Sequence, residues 1–220
     1  MMNSATINMI IEGIGQTLLM VIFSTLFGYL VGLPLGILLY LTDEDGLRPN
    51  KTVYRILDII VNIGRSIPFI ILLILIIPFT KAIVGKSYGT TATIVPLTVS
   101  AIPFIGRMVE GSLKEVDKGV IEAAESMGAT LFQIITKVLL VEARPSLING
   151  ATICLGTIVG YSAMAGTVGG GGLGDIAIRY GYYRYQTDIM IITVIIIVLM
   201  VQIFQYIGNR LVKTIDKRKV

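Results

Sequence analysis

The sequence predicts an all-α membrane protein, a polytopic bundle of five transmembrane helices formed by a single domain over residues 1–220. Two observations predict this fold class. Apolar residues make up 54% of the chain and charged residues only 15%, and the mean hydropathy is +0.83. In addition, several apolar stretches are long enough to cross a hydrocarbon core of roughly 30 Å.

The first predicted span covers residues 9–41 and is longer than a perpendicular crossing requires, so we expect it to tilt or to begin outside the lipid. No Lys or Arg lies between Met1 and Glu12, and no small-residue cleavage site follows a short apolar core. We therefore expect a retained span rather than a cleaved signal. Glycines spaced four apart in this span indicate close helix packing, namely Gly28, Gly32 and Gly36.

Four further apolar segments complete the predicted bundle, and they cover residues 56–79, 92–109, 147–164 and 189–212. Gly156 and Gly160 give the fourth span the same small-residue spacing as the first. Proline lacks the N–H that a helix interior needs, so each proline within a span is expected to kink or interrupt it. These prolines are Pro34, Pro68, Pro78, Pro96 and Pro103.

The distribution of Lys and Arg predicts the orientation of the bundle. Thirteen of these residues lie in the segments 42–55 and 107–144 or after residue 209, and four lie on the opposite side of the predicted spans. Because positive loops remain in the cytosol, the N-terminus should face out and the C-terminus in. The same bias explains the pI of about 9.2 better than nucleic-acid binding does.

The segment 107–144 is expected to form two cytosolic helices between spans three and four. Asp117 can cap a first helix that includes residues 121–127, and Gly128 can supply the left-handed turn that ends it. Thr130 and Gln133 form a capping box for a second helix that runs to about Leu140. Pro145 is expected to mark its end before the fourth span.

The side chains of the first cytosolic helix suit docking onto a partner. Ala123 and Ala124 are small enough for a close approach, and Val120, Ile121 and Met127 can serve as apolar anchors. A short helix laid in a groove is a common recognition mode. An amphipathic helix resting on the lipid surface would show a similar pattern, so both interpretations stay open at this point.

The same segment resembles the signature loop of permeases from ABC importers. The family pattern is Glu-Ala-Ala, three residues, Gly, nine residues, an aliphatic residue, one residue and Leu-Pro. The chain has Glu122, Ala123 and Ala124, then Gly128, then Val138 and Leu140, but Val141 stands where the family has Pro. The resemblance implies a coupling helix that sits in a cleft of an ATPase subunit, with Glu122, Ala123, Ala124, Met127 and Gly128 as coupling residues.

Longer stretches resemble methionine-importer permeases: RSIPFIILL (65–73), PLTVSAIPFIGRMVE (96–110), VEARPSLINGATI (141–153) and GYSAMAGTVGGGGLG (160–174). This resemblance implies a five-span subunit of the bacterial inner membrane that forms a homodimer with a pathway along its axis. It also implies two copies of an ATP-binding subunit and an extracytoplasmic methionine-binding lipoprotein. The expected function is ATP-driven import of D- or L-methionine by alternating access, and another amino acid or small metabolite is the alternative substrate.

Two groups of residues are candidates for the translocation pathway. Lys51, Arg55, Asp58, Asn62 and Arg65 are spaced to form one helical stripe, on which Arg65 should point inward and pair with Asp58 or with carbonyls freed by Pro68. A structural ion pair is the alternative role for Arg65. At the end of the fourth span, Met164 follows the Thr152, Gly156 and Gly160 stripe, which suits a dimer axis or an ordinary bundle core. The full candidate set is Asn62, Arg65, Ser66, Tyr161, Ser162 and Met164.

The composition argues against chemistry in the chain itself. There is no His and a single cysteine, Cys154, so we expect no catalytic residues, no metal site and no cofactor. A protein with scarce buried carboxylates is also a poor candidate for an intramembrane enzyme. An ATP-independent carrier or channel remains the rival class, and it would need ion-relay charges in the spans, where only Arg65 and Asp58 are available. The run Gly169–Gly174 is expected to cross the outer side without regular structure.

Overall fold

The computed structural model describes residues 4–216, and its regular elements are all helical within that range. The longer helices are α1 (Ser4–Thr42), α2 (Lys51–Ser66), α5 (Thr90–Lys114), α6 (Lys118–Ser126), α9 (Arg144–Ala165) and α11 (Thr187–Ile215). The short ones are α3 (Phe69–Leu75), α4 (Ile77–Val84), α7 (Leu131–Gln133), α8 (Leu140–Glu142) and α10 (Gly172–Ile176). Two π-helical segments, Ile134–Leu139 and Ala177–Tyr182, and a 3-10 turn at Gly166–Val168 complete the described range.

Four of these helices are long and apolar enough to cross a membrane: α1, α5, α9 with the 3-10 turn that follows it, and α11. The pair α2 and α3 passes the same test when taken together, although its two halves are bent by 101°. The described residues therefore contain four candidate spans, or five if the bent pair counts as one. The core between them is apolar and includes Met20, Leu97, Ile105 and Ile158.

Helices α1 and α5 pack closely along the glycine stripe of the first span, as predicted. Gly28 faces Ala101, Gly32 faces Ile105, and a Cβ atom on Gly36 would lie 2.6 Å from the carbonyl oxygen of Gly106. A side chain does not fit at that distance, so the small residues set the spacing of the two helices. Prolines are accommodated inside both helices without ending them, at Pro34 in α1 and at Pro96 and Pro103 in α5.

The segment predicted as the second span, residues 56–79, is divided among α2, α3 and the start of α4. The chain turns sharply between Ser66 and Phe69, so that α2 and α3 form a bent pair. Ile67 is extended, with φ −77° and ψ 122°, because a residue that precedes proline is disfavoured in the helical region. Pro68 thus interrupts the span, as expected for its sequence position, but the resulting bend is much larger than a kink.

The glycine-rich segment after α9 is more regular than predicted, since residues 172–176 form α10 and a π-helical segment follows directly. Gly169, Gly171 and Gly172 all have φ between +76° and +80°, which side chains other than glycine rarely adopt. The backbone N–H of Gly172 donates to the Gln16 side-chain oxygen at 2.7 Å, and that of Leu173 donates to Thr17 Oγ1 at 2.9 Å. Two polar side chains of α1 therefore satisfy the first amides of α10.

Candidate functional site

The helix α6 begins and ends where the sequence predicts. Asp117 Oδ1 accepts a hydrogen bond from the backbone N–H of Gly119 at 2.7 Å, which is the arrangement of an N-cap. At the other end Gly128 has φ +78°, and its N–H donates to the carbonyl of Glu125 at 2.9 Å. The left-handed glycine ends the helix and reverses the chain direction.

The predicted capping box of the second helix is also present. Thr130 N–H donates to Gln133 Oε1 at 2.8 Å, and Gln133 N–H donates to Thr130 Oγ1 at 3.4 Å. The helix that follows is not a plain α-helix, because residues 134–139 form a π-helical segment between α7 and α8. The break before the fourth span lies at Ala143, and Pro145 occupies the first turn of α9 rather than the end of the preceding helix.

One face of α6 is buried against the chain itself. Ile121 and Ala124 are buried and belong to the same apolar cluster as Val116, Ile134 and Leu139. This corrects the prediction that Ile121 and Ala124 face a partner, since both side chains attach α6 to the rest of the molecule. The sequence alone could not separate the inner from the outer apolar residues, because α6 is short and both faces carry them.

The outer face of α6 carries the remaining predicted coupling residues. Glu122 and Ala123 are exposed, and Met127 is 82% exposed. Phe132, which the sequence analysis did not select, lies just beyond the glycine turn and is 74% exposed. Val120 is also exposed, at 42%, and exposed apolar side chains grouped on a polar segment are candidates for an interaction site.

Phe132 and Leu139 show where regular helical spacing fails in this segment. In a continuous α-helix, residues seven apart share a face, yet Leu139 is fully buried whereas Phe132 is exposed. The π-helical segment over residues 134–139 lies between these two positions and changes the helical register there.

A cluster of charged side chains lies where α2 packs on α5. Its centre is Glu110, whose carboxylate is 1% exposed and accepts three hydrogen bonds. Tyr54 Oη donates to Oε1 at 3.1 Å, Lys114 Nζ donates to the same oxygen at 2.8 Å, and Arg107 Nη1 donates to Oε2 at 2.7 Å. The buried charge is therefore paired and hydrogen-bonded, which is the condition under which proteins retain one.

Arg107 extends this cluster along α2. Its Nη2 donates to Asp58 Oδ1 and, at 3.1 Å, to Asn62 Oδ1, and Asn62 Nδ2 donates to Asp58 Oδ2 at 3.0 Å. The expected pairing of Arg65 with Asp58 is therefore wrong. Arg65 is exposed in the last turns of α2 and forms no salt bridge with any residue in the range 4–216.

Lys114 extends the cluster toward α6. The ammonium of Lys114 lies 2.6 Å from Asp43 Oδ2. A second ion pair lies nearby, in which Asp45 Oδ1 is 3.4 Å from Nζ of Lys118, the first residue of α6. Partial burial opposes ionisation of Asp43, but the hydrogen bonds from Lys114 and from the Glu44 N–H prevail and lower the pKa of Asp43 below its ordinary value.

The pathway candidates occupy two neighbouring regions. Asn62, Arg65 and Ser66 are exposed on α2, and three residues beyond Ser66 the ring of Phe69 stacks on Tyr161 with centroids 4.7 Å apart. Tyr161 is half-buried in this contact. The bend at Pro68 therefore brings the end of α2 close to the end of α9.

The remaining candidates, at the end of α9, differ in their surroundings. Ser162 is buried, and its hydroxyl donates to the carbonyl of Val159 at 2.7 Å, so it faces the core of this chain. Met164 is 49% exposed. The stripe that leads to Met164 does not face one surface as expected: Thr152 packs on Gly208 of α11, whereas nothing lies within 4 Å of the Cβ position of Gly160.

Metal-binding residue types are scattered through the structure rather than grouped. Across residues 4–216, His, Cys, Asp and Glu side chains form no group of three or more that could hold a metal ion. Cys154 is a free thiol buried between helices.

Comparison with known proteins identifies relatives of the whole chain. It is 56% identical to the probable D-methionine transport system permease protein MetI of Vibrio cholerae, with 92% of this chain and 90% of that protein covered. It is also 56% identical to D-methionine transport system permease protein MetI of Escherichia coli strain K12, with 72% and 73% covered. The inward-facing MetNI methionine ABC transporter contains a chain of TM-score 0.96 and 50% identity, with 98% of this chain and 100% of that one covered.

A family description matches most of the sequence. Residues 32–220 fit the family of binding-protein-dependent transport system inner membrane components. A crystal structure of an amino acid ABC transporter with histidines shares the fold at TM-score 0.78 but only 19% identity. Because the family match covers most of the chain and the relatives exceed half identity, the chain belongs to the family of binding-protein-dependent transport system inner membrane components.

Proposed function

We propose that the chain is the permease subunit of an ATP-driven importer that carries methionine across the bacterial inner membrane. The observation that carries this proposal is the similarity to the MetNI methionine transporter, which extends over 98% of this chain and 100% of the matched one at 50% identity. The permeases of D-methionine transport systems that resemble it support the same substrate. The chain itself is not an enzyme and needs no cofactor, because ATP is hydrolysed by a separate subunit.

In this assignment the bundle crosses the membrane five times, with α2 and α3 forming one broken span. The N-terminus faces the periplasm, and the C-terminus and α6 face the cytosol, in agreement with the excess of Lys and Arg in the segments 42–55 and 107–144. Non-helical backbone, such as that at the Pro68 bend, is tolerated inside a membrane protein where it is buried or lines a pathway.

The functional assembly contains two copies of the chain, two copies of an ATP-binding subunit and an extracytoplasmic methionine-binding lipoprotein. The outer face of α6 docks in a cleft of the ATP-binding subunit. Met127 and Phe132 are its apolar anchors, Ala123 permits close backbone approach and Glu122 orients the helix. Ile121 and Ala124 fix the helix to the permease, so that a displacement of α6 is passed to the bundle.

Transport then proceeds by alternating access. Closure of the ATP-binding subunits displaces α6, and the two permease copies rock around a central pathway from an inward-facing to an outward-facing state. The end of α2 with Asn62, Arg65 and Ser66, and the end of α9 with Tyr161 and Met164, contribute the surfaces of that pathway. Ser162 supports the pathway from the core side rather than lining it.

The substitution Met127→Asp tests the docking role of α6. Since Met127 is exposed, the permease should fold normally, but a charge in an apolar cleft should weaken association with the ATP-binding subunit at least about tenfold, as expected for a hot-spot side chain. Copurification and methionine-stimulated ATP turnover in proteoliposomes with the binding lipoprotein are the measurements. Glu122→Lys should act in the same direction.

The matched control is Met127→Leu, which keeps an apolar side chain of similar volume and should leave assembly and stimulation intact. If Met127→Asp assembles and responds to methionine as Met127→Leu does, α6 is not the docking element. If wild-type turnover responds to another amino acid and not to methionine, the substrate assignment is wrong while the docking role stands.

A further inference from the structure

Glu110 is the one charged residue that is fully buried among residues 4–216. Burial of a carboxylate is costly unless every oxygen is paired, and here three donors from two helices meet the charge. Replacing such a network by apolar residues is often neutral for stability, so its presence is weak evidence for a stabilising role. A role in fixing the relative position of two elements is the better explanation.

Helix α2 depends on this cluster for its position. Of its sixteen residues, only Val61 is buried within the chain, and the side chains of Val53, Ile56, Ile59, Ile60 and Ile63 are exposed. Apolar packing therefore holds α2 to α5 weakly. The bonds of Tyr54 and Asp58 to the Glu110–Arg107 pair are the specific contacts between the two helices.

The same cluster links the proposed pathway surface to the end of α1. At one end Asn62, on the proposed pathway surface, contacts Arg107 at 3.1 Å. Arg107 and Lys114 both bind Glu110, and Lys114 binds Asp43 at 2.6 Å. From Asp43 the backbone leads to Asp45, whose exposed carboxylate lies 3.4 Å from Nζ of Lys118 at the start of α6, and α5 itself continues into α6 after Lys114.

We propose that Glu110 is a positioning residue of the transport cycle: it clamps α2 to α5, so that the pathway surface around Asn62 moves together with α6 when the ATP-binding subunits close. This inference rests on the proposed function of α6. Glu110 itself touches no substrate, because its carboxylate is enclosed by Tyr54, Arg107 and Lys114.

The test is Glu110→Gln in the full complex, reconstituted in proteoliposomes with the binding lipoprotein and methionine. The substitution preserves shape but removes the charge that Arg107 and Lys114 bind. The number of methionine molecules transported per ATP hydrolysed should fall about tenfold, the change expected when a charge-assisted hydrogen bond of this kind is lost. The basal rate of ATP hydrolysis should stay within about twofold of the wild-type rate, since α6 keeps its own buried contacts.

Glu115→Gln is the matched control, because it makes the same chemical change at an exposed position at the end of the same helix. It should keep the wild-type ratio of transport to hydrolysis. Glu110→Asp, which restores the charge on a shorter side chain, should recover part of the ratio of transport to hydrolysis. If the side chain of residue 110 served only to fill space, the smaller Asp would instead lower this ratio further than Gln does.

Asp58→Asn provides a second variant if Glu110→Gln does not assemble. Asp58 is partly exposed, so its loss should not prevent folding, but it removes the salt bridge to Arg107 and should also lower the transport ratio. If both variants couple transport to hydrolysis as the wild type does, the inference is overturned and the proposed function stands. If instead Met127→Asp leaves coupling intact, the docking role of α6 fails whatever the outcome at Glu110.

Discussion

At the scale of single residues, glycines allow the close approach of α1 and α5. The Cβ position of Gly36 is filled by atoms of Gly106 and Val109, whereas that of Gly15 in the same helix has nothing within 4 Å. Both residues are helical and differ only in what faces them. Replacing each glycine by a larger residue therefore measures how much the close contact between α1 and α5 contributes to stability.

We expect Gly36→Val to destabilise the bundle by about 1–3 kcal/mol, the usual cost of overpacking a close helix contact. Gly15→Val should be neutral or slightly stabilising, because Val has a somewhat higher helix propensity than Gly and the Cβ position of Gly15 is open. Cys154 is the only cysteine of the chain and is buried, so the temperature at which a fluorescent maleimide labels this subunit reports its unfolding. Equal labelling temperatures for the two variants would contradict the packing argument.

Residue-level pairings were the least predictable feature. Arg65 was expected to pair with Asp58, seven residues earlier on the same helical stripe, or with carbonyls freed by Pro68. The real partner of Asp58 is Arg107, 49 residues away, and Arg107 in turn binds Glu110. Helical spacing indicates which side chains share a face, but not which face of another helix they meet. No sequence pattern indicated that Glu110 is buried, since a lone acidic residue near the end of a span usually lies in solvent.

At the scale of elements, local signals predicted boundaries well. The caps of α6 and α7 were predicted from Asp117, Gly128, Thr130 and Gln133, because each motif satisfies backbone groups by contacts within a few residues. The interruption at Pro68 was predicted, but the π-helical segments and the size of the bend, 101°, were not. Hydrophobic periodicity assumes a regular helix, so an irregular one can be recognised only from its packing.

The glycine turn between α6 and α7 yields a prediction about assembly. Gly128→Ala places a Cβ in the left-handed region at φ +78°, at a cost of about 1–2 kcal/mol. The strain should be relieved by reorienting α6 relative to Phe132, and affinity for the ATP-binding subunit should fall by about fivefold to tenfold. Titration of that subunit against the detergent-solubilised permease is the measurement.

Gly111→Ala is the control for this experiment. Gly111 lies in α5 with a helical backbone and open space around its Cβ position, so alanine there should be neutral or slightly favourable. An unchanged affinity in Gly128→Ala would mean that the orientation of the turn is irrelevant to docking.

At the scale of the whole molecule, composition was sufficient to predict the fold class, and the glycine stripe was sufficient to predict that the first span packs closely on another helix, which is α5. The positions of the candidate spans agree with the predicted ones, apart from the broken second span. The sequence did not predict which surfaces of α2 and α11 are exposed, because these surfaces contact lipid or a second subunit rather than another segment of the chain.

The orientation of the bundle is testable with single cysteines in a Cys154→Ser background. Arg48→Cys lies in the exposed segment between α1 and α2, and Tyr182→Cys lies in the exposed segment before α11. In intact cells a membrane-impermeant maleimide should label position 182 and should label position 48 only after the membrane is permeabilised. Labelling of position 48 from outside would reverse the topology and remove α6 from the cytosol.

The capping of α10 by α1 has a consequence for biogenesis. Gln16 and Thr17 accept hydrogen bonds from amides 156 residues further along the chain. While the ribosome is still synthesising the intervening residues, the first segment is already in the bilayer and lacks these donors, although unmatched polar atoms are costly there. The first helix to enter the membrane therefore completes its contacts only after residues 172 and 173 have been added, and a nascent chain that stalls before residue 172 leaves Gln16 and Thr17 without these partners.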